Sequence, residues 1–315
     1  MARASELLIT SNRLPVSVAL DGDEPSLTPS SGGLVAGLRT TALGRLWIGW
    51  PGATVPGRLE GRVAEALAAE SCRPVFLSTE EERNFYDVMC NDGLWPLFHY
   101  FVDRFEFSDR AWQSYVEVNE RFADAVAEAS PRGARVWVHD FHLALVPQAL
   151  RCRRPDLAIG FFLHVPFPSP EIYRVLPTGR EFLRGILGSD YIGFHTDDYL
   201  DHFRAACSRL LGIDPERAKL EHDGRRIGTG VHPIGIDVQG FRETVRDPAT
   251  AIEAAHVDLI YRDKELFLGV DRLDYTKGIV KKLEAFERFL EEDPRRAETT
   301  RMLQVLVPSR VRSPA

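Results

Sequence analysis

Arg272 and Lys277 lie in the segment Phe267-Leu-Gly-Val-Asp-Arg272-Leu-Asp-Tyr-Thr-Lys277-Gly-Ile, where an apolar run gives way to a turn. Cations at the carboxyl end of a parallel strand stand where open α/β sheets bind ligands. A guanidinium offers a planar fork of donors and an ammonium a mobile point charge, so the pair suits different oxygens of a diphosphate. The same spacing also fits a solvated basic loop. Ser31-Gly32-Gly33 is a second anion candidate, because glycine lets the backbone approach closely and a helix starting there presents free N–H groups. Taken alone, such a glycine pair is more commonly a plain turn. G-x-G-x-x-G and G-x4-G-K-[ST] are absent from the sequence, which removes the dinucleotide fingerprint and the P-loop. Arg13, Asp140, His142 and His164 each come after a strand-like run, and His164 fits a satisfied core histidine as well as a ligand contact. No pair of carboxylates stands out as nucleophile and acid.

The elements that must position these side chains read as alternating strands and helices. Strands are expected over residues 7–10, 45–49, 74–77, 135–139, 159–164 and 191–194. The strand at 135–139 delivers Asp140 and His142, and the nearly all-apolar strand at 159–164 ends on His164, as in a parallel sheet covered on both faces. Helices are expected over 34–43, 110–128, 143–152, 181–187 and 197–211, with Trp112, Tyr115, Val116, Asn119 and Phe122 on related faces of the second. The polar excursion 21–31 reads as a loop or hairpin. Residues 231–237, with Pro233 and Gly235, read as a hinge. Beyond it come a helix at 247–255, a strand at 266–270, a helix at 280–290 and a strand at 302–307. This alternation predicts a doubly wound α/β fold in two domains, 1–235 and 236–315. Two strands cannot bury a second sheet on both faces, so the second domain is expected to be incomplete, with partly exposed apolar residues that promote either association, as in a homo-oligomer, or local disorder.

Further segments form a set with these. They are Ser11-Asn-Arg13-Leu-Pro15, Ser31-Gly32-Gly33-Leu34, Trp47-Ile-Gly-Trp50-Pro-Gly52, Asn91-Asp-Gly-Leu-Trp95-Pro-Leu-Phe-His99-Tyr100 and Trp112-x2-Tyr115-x3-Asn119. Val138-His139-Asp140-Phe-His142-Leu, Gly160-Phe-Phe-Leu-His164-Val-Pro-Phe-Pro168, Ile192-Gly-Phe-His195-Thr196, Pro233-Ile-Gly-Ile-Asp237 and Val307-Pro-Ser-Arg310 follow. In type and order they resemble retaining glycosyltransferases of the trehalose-6-phosphate synthase type, glycosyltransferase family 20, over nearly the whole chain. The resemblance implies a GT-B fold of two Rossmann-like domains. It implies glucose transfer from UDP-glucose, or another nucleoside-diphosphate glucose, to glucose 6-phosphate, giving trehalose 6-phosphate and the nucleoside diphosphate. Glycerol 3-phosphate as acceptor, giving glucosylglycerol phosphate, stays open. So does a truncated, non-catalytic member that binds sugar phosphate or assembles with a full-length relative.

By the same resemblance, Asp140, His164, Arg272 and Lys277 are the catalytic set. Arg13, Tyr86, Trp95, Asp140 and Arg310 bind the acceptor, with Arg13 and Arg310 on its 6-phosphate. Gly32, Gly33, His164, Arg272 and Lys277 bind the donor. Aromatic faces suit the apolar side of a sugar ring, although core packing is the competing role of Tyr86 and Trp95. His142 has no assigned role. Asp87 stands where the family usually has Asn, and a carboxylate facing a phosphate would repel it. Asp21-Gly-Asp23 matches the D-x-D metal pattern of other glycosyltransferases, but it lies in a Gly/Pro-rich loop and is read as turn chemistry. The resemblance implies no metal and no cofactor: Arg272 and Lys277 stabilise the departing diphosphate. It also implies front-face transfer without a protein nucleophile. The family's chain continues past the equivalent of Arg310 with an acidic motif for the ribose, so weak donor binding is expected of the sequence as it stands.

Composition bounds these expectations. Hydrophobic residues make up 44% of the 315 residues and charged residues 27%, the balance of a globular protein. A formal charge of −7 argues against nucleic acid or an anionic membrane as partner, while allowing a local basic pocket. No secretory signal is read at the start, and no run approaches the ~18 apolar residues of a membrane span. Cys72, Cys90, Cys152 and Cys207 show no C-x-x-C spacing, which suits core fillers or inert surface residues in a reducing, cytoplasmic compartment.

Overall fold

Alternating apolar side chains over a run of short strands build one large sheet. The computed structural model describes residues 7–30, 38, 45–214 and 219–307. In chain order the strands are β1 (Leu7–Arg13), β2 (Val16–Asp21), β3 (Glu24–Pro29), β4 (Arg45–Trp50), β5 (Cys72–Pro74), β6 (Arg135–His139), β7 (Ala158–Phe162), β8 (Tyr191–Phe194), β9 (Leu220–His222), β10 (Arg225–Val231), β11 (Glu265–Arg272) and β12 (Thr300–Val307). The eight-stranded sheet runs β5-β4-β1-β6-β7-β8-β10-β9. Its pairs are parallel except β9 with β10. Order reverses at β1, which sends one half of the chain to each side and makes the carboxyl ends of β1, β4, β6 and β7 the expected ligand edge.

Period-two alternation divides the core. Val136, Val138, Ile159, Phe161 and Leu163 enter the larger cluster on one face. Ile9 and Trp47 enter the smaller one on the other, with Trp137 packed against it. The helix Asp109–Ala129 covers the larger cluster with Tyr115, Val118, Phe122 and Val126, spaced to share one face, and Ser108 caps it by accepting from Ala111 N at 3.4 Å. Three cysteines are buried and Cys152 is exposed; all four are free.

Some elements differ from expectation. Of the 21–31 excursion, Ser31 lies outside the described residues and Glu24–Pro29 is the return arm of a hairpin in which β2 and β3 pair antiparallel around Gly22, whose φ is +59°. The strand expected at 74–77 is Cys72–Pro74. The helix expected at 143–152 begins later, at Val146–Arg153, after a 3-10 turn Phe141–Leu143. Glu82–Leu94 forms a thirteen-residue π-helix that no spacing rule singles out. The helix expected over 34–43 lies outside the described residues except at Leu38.

Contacts divide the chain into two compact units, Met1–Ile236 and Asp237–Ala315. In the second, β11 and β12 pair in parallel, and the helices are Val238–Arg246, Pro248–Ile260, Ile279–Glu291 and Arg296–Thr299. Phe267 packs its ring 5.6 Å from Phe286 and 5.5 Å from Phe289, fixing the helix Ile279–Glu291 on the strand pair. Leu268 and Val270 are each 64% exposed. Among the described residues no helix is long and apolar enough to cross a membrane.

Candidate active site

Arg13 ends β1 in register with Trp50, the last residue of β4. Its guanidinium carbon stands 4.9 Å from the Trp50 ring centroid and 5.2 Å from that of Tyr86. The two rings are 5.3 Å apart and tilted by 59°. Aromatic faces orient a cation without neutralising it. Among the described residues Arg13 has no ion-pair partner, which leaves its charge able to meet an anion. Space for it depends on Gly52, whose φ is +87° and where a Cβ would come 3.2 Å from Arg13 Nη1. Tyr86 reaches the site from the π-helix, a form that recurs at functional sites. His142 stacks behind Tyr86 with ring centroids 6.1 Å apart.

Asp140 follows β6 with φ +73° and ψ 166°, a region that L residues rarely occupy. Its backbone is fixed on both sides: N donates to Phe162 O at 2.8 Å, and O accepts from Leu143 N at 3.1 Å. The carboxylate accepts from His164 N at 3.1 Å, and its other oxygen lies 3.9 Å from His142 Nδ1. The Trp112-x2-Tyr115-x3-Asn119 segment explains how this loop is held. Asn119 Nδ2 donates to Tyr115 O at 2.9 Å and His142 O at 3.0 Å, and Asn119 Oδ1 accepts from Leu145 N at 3.0 Å. The Tyr115 hydroxyl donates to Phe141 O and accepts from Ala144 N at 3.2 Å.

Beyond β7, His164 Nε2 lies 3.0 Å from His139 Nδ1, and the His195 ring packs against His164 at 5.5 Å. Burial, then the neighbouring His164, holds His139 well below the ordinary histidine range. Burial, then His195, pulls His164 down to about 3, and burial lowers His195. All three imidazoles are therefore neutral near pH 7. They border a cavity of about 410 Å³ whose lining includes His139, Phe162, His164, Tyr191 and His232. Gly193 lines it too, and a Cβ there would meet Phe162 Cδ2 at 2.6 Å.

In the second unit, Arg272 ends β11 and Lys277 closes the 3-10 turn Tyr275–Lys277. Asp274 shapes that turn by accepting from Thr276 N at 3.0 Å and Thr276 Oγ1 at 2.8 Å. Gly278, at φ +60°, then starts the helix Ile279–Glu291. Asp271 is held by Lys282 at 2.7 Å and Gln304 at 2.9 Å, and these donors lower its carboxyl below the usual range. Arg272 and Lys277 are exposed and form no ion pair among the described residues.

The structure thus brings Arg13 and Tyr86 together, and Asp140 and His164 together. Trp95 is 8% exposed and lies in the core, its ring 3.9 Å from His99 and 6.1 Å from Phe141. Gly32, Gly33 and Arg310 lie outside the described residues. Asp21 and Asp23 flank Gly22 at the hairpin turn, where Asp23 pairs with Arg58 at 2.6 Å. Sequence reading missed Trp50, Gly52 and His139 as parts of the site, although two quoted segments contain them. The signals available were a tryptophan and a glycine flanking a proline, and a histidine one residue before an aspartate.

The sequence model of glycosyltransferase family 20 matches residues 5–315. The chain belongs to glycosyltransferase family 20. It is 43% identical to the alpha,alpha-trehalose-phosphate synthase [UDP-forming] of Emericella nidulans, covering 97% of this chain and 62% of that protein. It is 41% identical to synthase A of Dictyostelium discoideum, covering 98% of this chain and 42% of that protein. An E. coli structure bound with UDP-2-fluoro glucose superposes with a TM-score of 0.82 at 30% identity, over 97% of this chain and 65% of that one. A Burkholderia xenovorans alpha,alpha-trehalose-phosphate synthase (UDP-forming) in complex with glucose-6-phosphate gives 0.82 at 27%, over 97% and 66%. The chain spans less than two thirds of the length of these relatives. Its fold class is the α/β, GT-B type expected from the sequence.

Proposed function

We propose that this family 20 chain carries the residues of a retaining glucosyltransferase. That enzyme moves glucose from UDP-glucose to the anomeric hydroxyl of glucose 6-phosphate, giving trehalose 6-phosphate and UDP. The observation that carries the reading is Arg13, a cation packed against Trp50 and Tyr86 with no carboxylate to neutralise it among the described residues, at the ligand edge of a parallel sheet. It suits the 6-phosphate of the acceptor, a role that the same reading also gives to Arg310, and the Tyr86 ring packs against Arg13. Asp140 accepts from an acceptor hydroxyl. Neutral His164 donates to the donor sugar without placing a positive charge beside the reacting centre. Gly32 and Gly33 are assigned to the donor phosphates on the family resemblance.

Chemistry then needs one bond formed and one broken. The acceptor's anomeric oxygen bonds to the glucosyl carbon, and the bond from that carbon to the diphosphate breaks. The departing diphosphate oxygen takes the hydroxyl proton, so no protein nucleophile is required. Arg272 and Lys277 neutralise the diphosphate, which makes the transfer independent of a metal. A cytoplasmic location, where nucleotide-sugars and sugar phosphates occur, belongs to the same reading, as does self-association through the exposed apolar residues of the second unit.

Titration calorimetry with glucose 6-phosphate tests the acceptor assignment. Arg13→Ala should weaken binding by about 2–3 kcal/mol, the loss of a charge-assisted pair. Unchanged affinity would remove Arg13 from the site.

A further inference from the structure

His139 is 1% exposed at the end of β6, stacked on Trp137 with ring centroids 4.5 Å apart. Its Nδ1 faces His164 Nε2 at 3.0 Å. Its Nε2 is buried and has no hydrogen-bond partner among the described residues. Two neutral imidazoles meeting nitrogen to nitrogen share one N–H between them. A proton on His139 Nδ1 points at an acceptor. A proton on Nε2 is a buried donor with nothing to receive it, a less favourable state than a ring lone pair left bare. His164 therefore accepts on Nε2 and carries its own proton on Nδ1, which has no partner among the described residues. The rest of His164 is held too: its backbone N–H bonds to the Asp140 carboxylate at 3.1 Å, and its ring packs against Phe162 at 4.6 Å and His195 at 5.5 Å.

We infer that His139 is a positioning residue, holding His164 in the Nδ1–H tautomer so that this N–H is the donor His164 offers to an oxygen of the nucleotide-sugar. The ligand half of this inference rests on the function proposed above; the tautomer half does not. Burial keeps both rings neutral, so the arrangement persists through the physiological pH range. Register makes the pairing possible. His139 pairs with Phe162 across β6 and β7, and His164 lies two residues further on the same face.

Long-range proton–nitrogen NMR on the full 15N-labelled chain reads the tautomer directly, with His164 assigned by its loss in His164→Gln. The expected wild-type pattern is a protonated Nδ1 and an unprotonated Nε2. His139→Asn keeps an amide donor near the Nδ1 position and should preserve the pattern. His139→Phe removes the donor and should shift His164 toward Nε2–H or a mixture. His139→Gln, whose amide reaches instead toward the Nε2 position, serves as a second variant should the phenylalanine protein not fold, and it should shift the pattern in the same way. UDP-glucose binding by calorimetry should fall about ten-fold in His139→Phe and change little in His139→Asn. A wild-type His164 already protonated on Nε2, or a folded His139→Phe protein with the wild-type pattern, would overturn the inference. Failure of the wild-type chain to bind UDP-glucose would count against the donor reading and leave the tautomer result intact.

Discussion

Asp140 holds φ at +73° while its carboxylate bonds to the His164 backbone, so one residue combines strained geometry with a role in the site. Strain of this kind is worth of order 1–3 kcal/mol and persists where neighbouring bonds impose it. Asp140→Gly should relieve the backbone and lose the carboxylate bond. Its unfolding free energy in urea should stay within about 1 kcal/mol of wild type, while turnover falls by about 100-fold or more. A loss of stability above about 2 kcal/mol would show that the conformation is not strained. His164 gives a second residue-scale test. Its folded pKa of about 3 lies below the ordinary 6.5, so between these values the unfolded chain binds a proton that the folded chain does not. The stabilisation is therefore complete above about pH 6.5 and is lost as pH falls toward 3, with a slope of up to about 1.4 kcal/mol per pH unit. Denaturant midpoints from pH 7 to 4 should fall less steeply in His164→Gln, and identical slopes would contradict the assignment.

The helix Asp109–Ala129 is the element that turns a loop into a site. Tyr115 and Asn119 bind five backbone groups between residues 115 and 145, and the carbonyls of Phe141 and His142 are among them. Asn119→Ala would leave two carbonyls and one N–H without this partner in a buried setting. It should cost about 2–4 kcal/mol in urea unfolding and weaken glucose 6-phosphate binding in parallel. A change below about 1 kcal/mol would mean that the loop holds itself. This helix was legible in the sequence because its apolar residues repeat on one face, and β6 and β8 were legible as apolar runs between turn residues. The π-helix Glu82–Leu94 was not, because its i→i+5 bonding follows none of the periods used to read a chain. The helix Val238–Arg246, between the expected hinge at 231–237 and the helix expected at 247–255, was not singled out, although Asp237 caps it by accepting from Gly240 N at 2.9 Å. Of the site, Arg13, Asp140 and His164 were readable as polar residues after apolar runs. The role of Trp50 was not, since its ring becomes a platform only once Tyr86, far along the chain, is packed beside it.

At the scale of the whole molecule, the proposed acceptor groups Arg13, Tyr86 and Asp140 belong to one compact unit, and the proposed diphosphate cations Arg272 and Lys277 to the other. Neither unit alone carries both halves of the proposed chemistry, and family membership links them. On the proposed reading this division of labour makes a joint demand: nucleotide-sugar and sugar phosphate must both be present for transfer, with the two cations in place of a metal. The most direct measurement incubates the protein with UDP-glucose and glucose 6-phosphate, with and without excess chelator, and follows the anomeric carbons by NMR. The account predicts UDP released in equal amount to a non-reducing, α,α-linked disaccharide phosphate, at a rate unaffected by the chelator. A β-linked product, transfer to glycerol 3-phosphate in place of glucose 6-phosphate, or turnover that appears only when Mg²⁺ or Mn²⁺ is restored would contradict it.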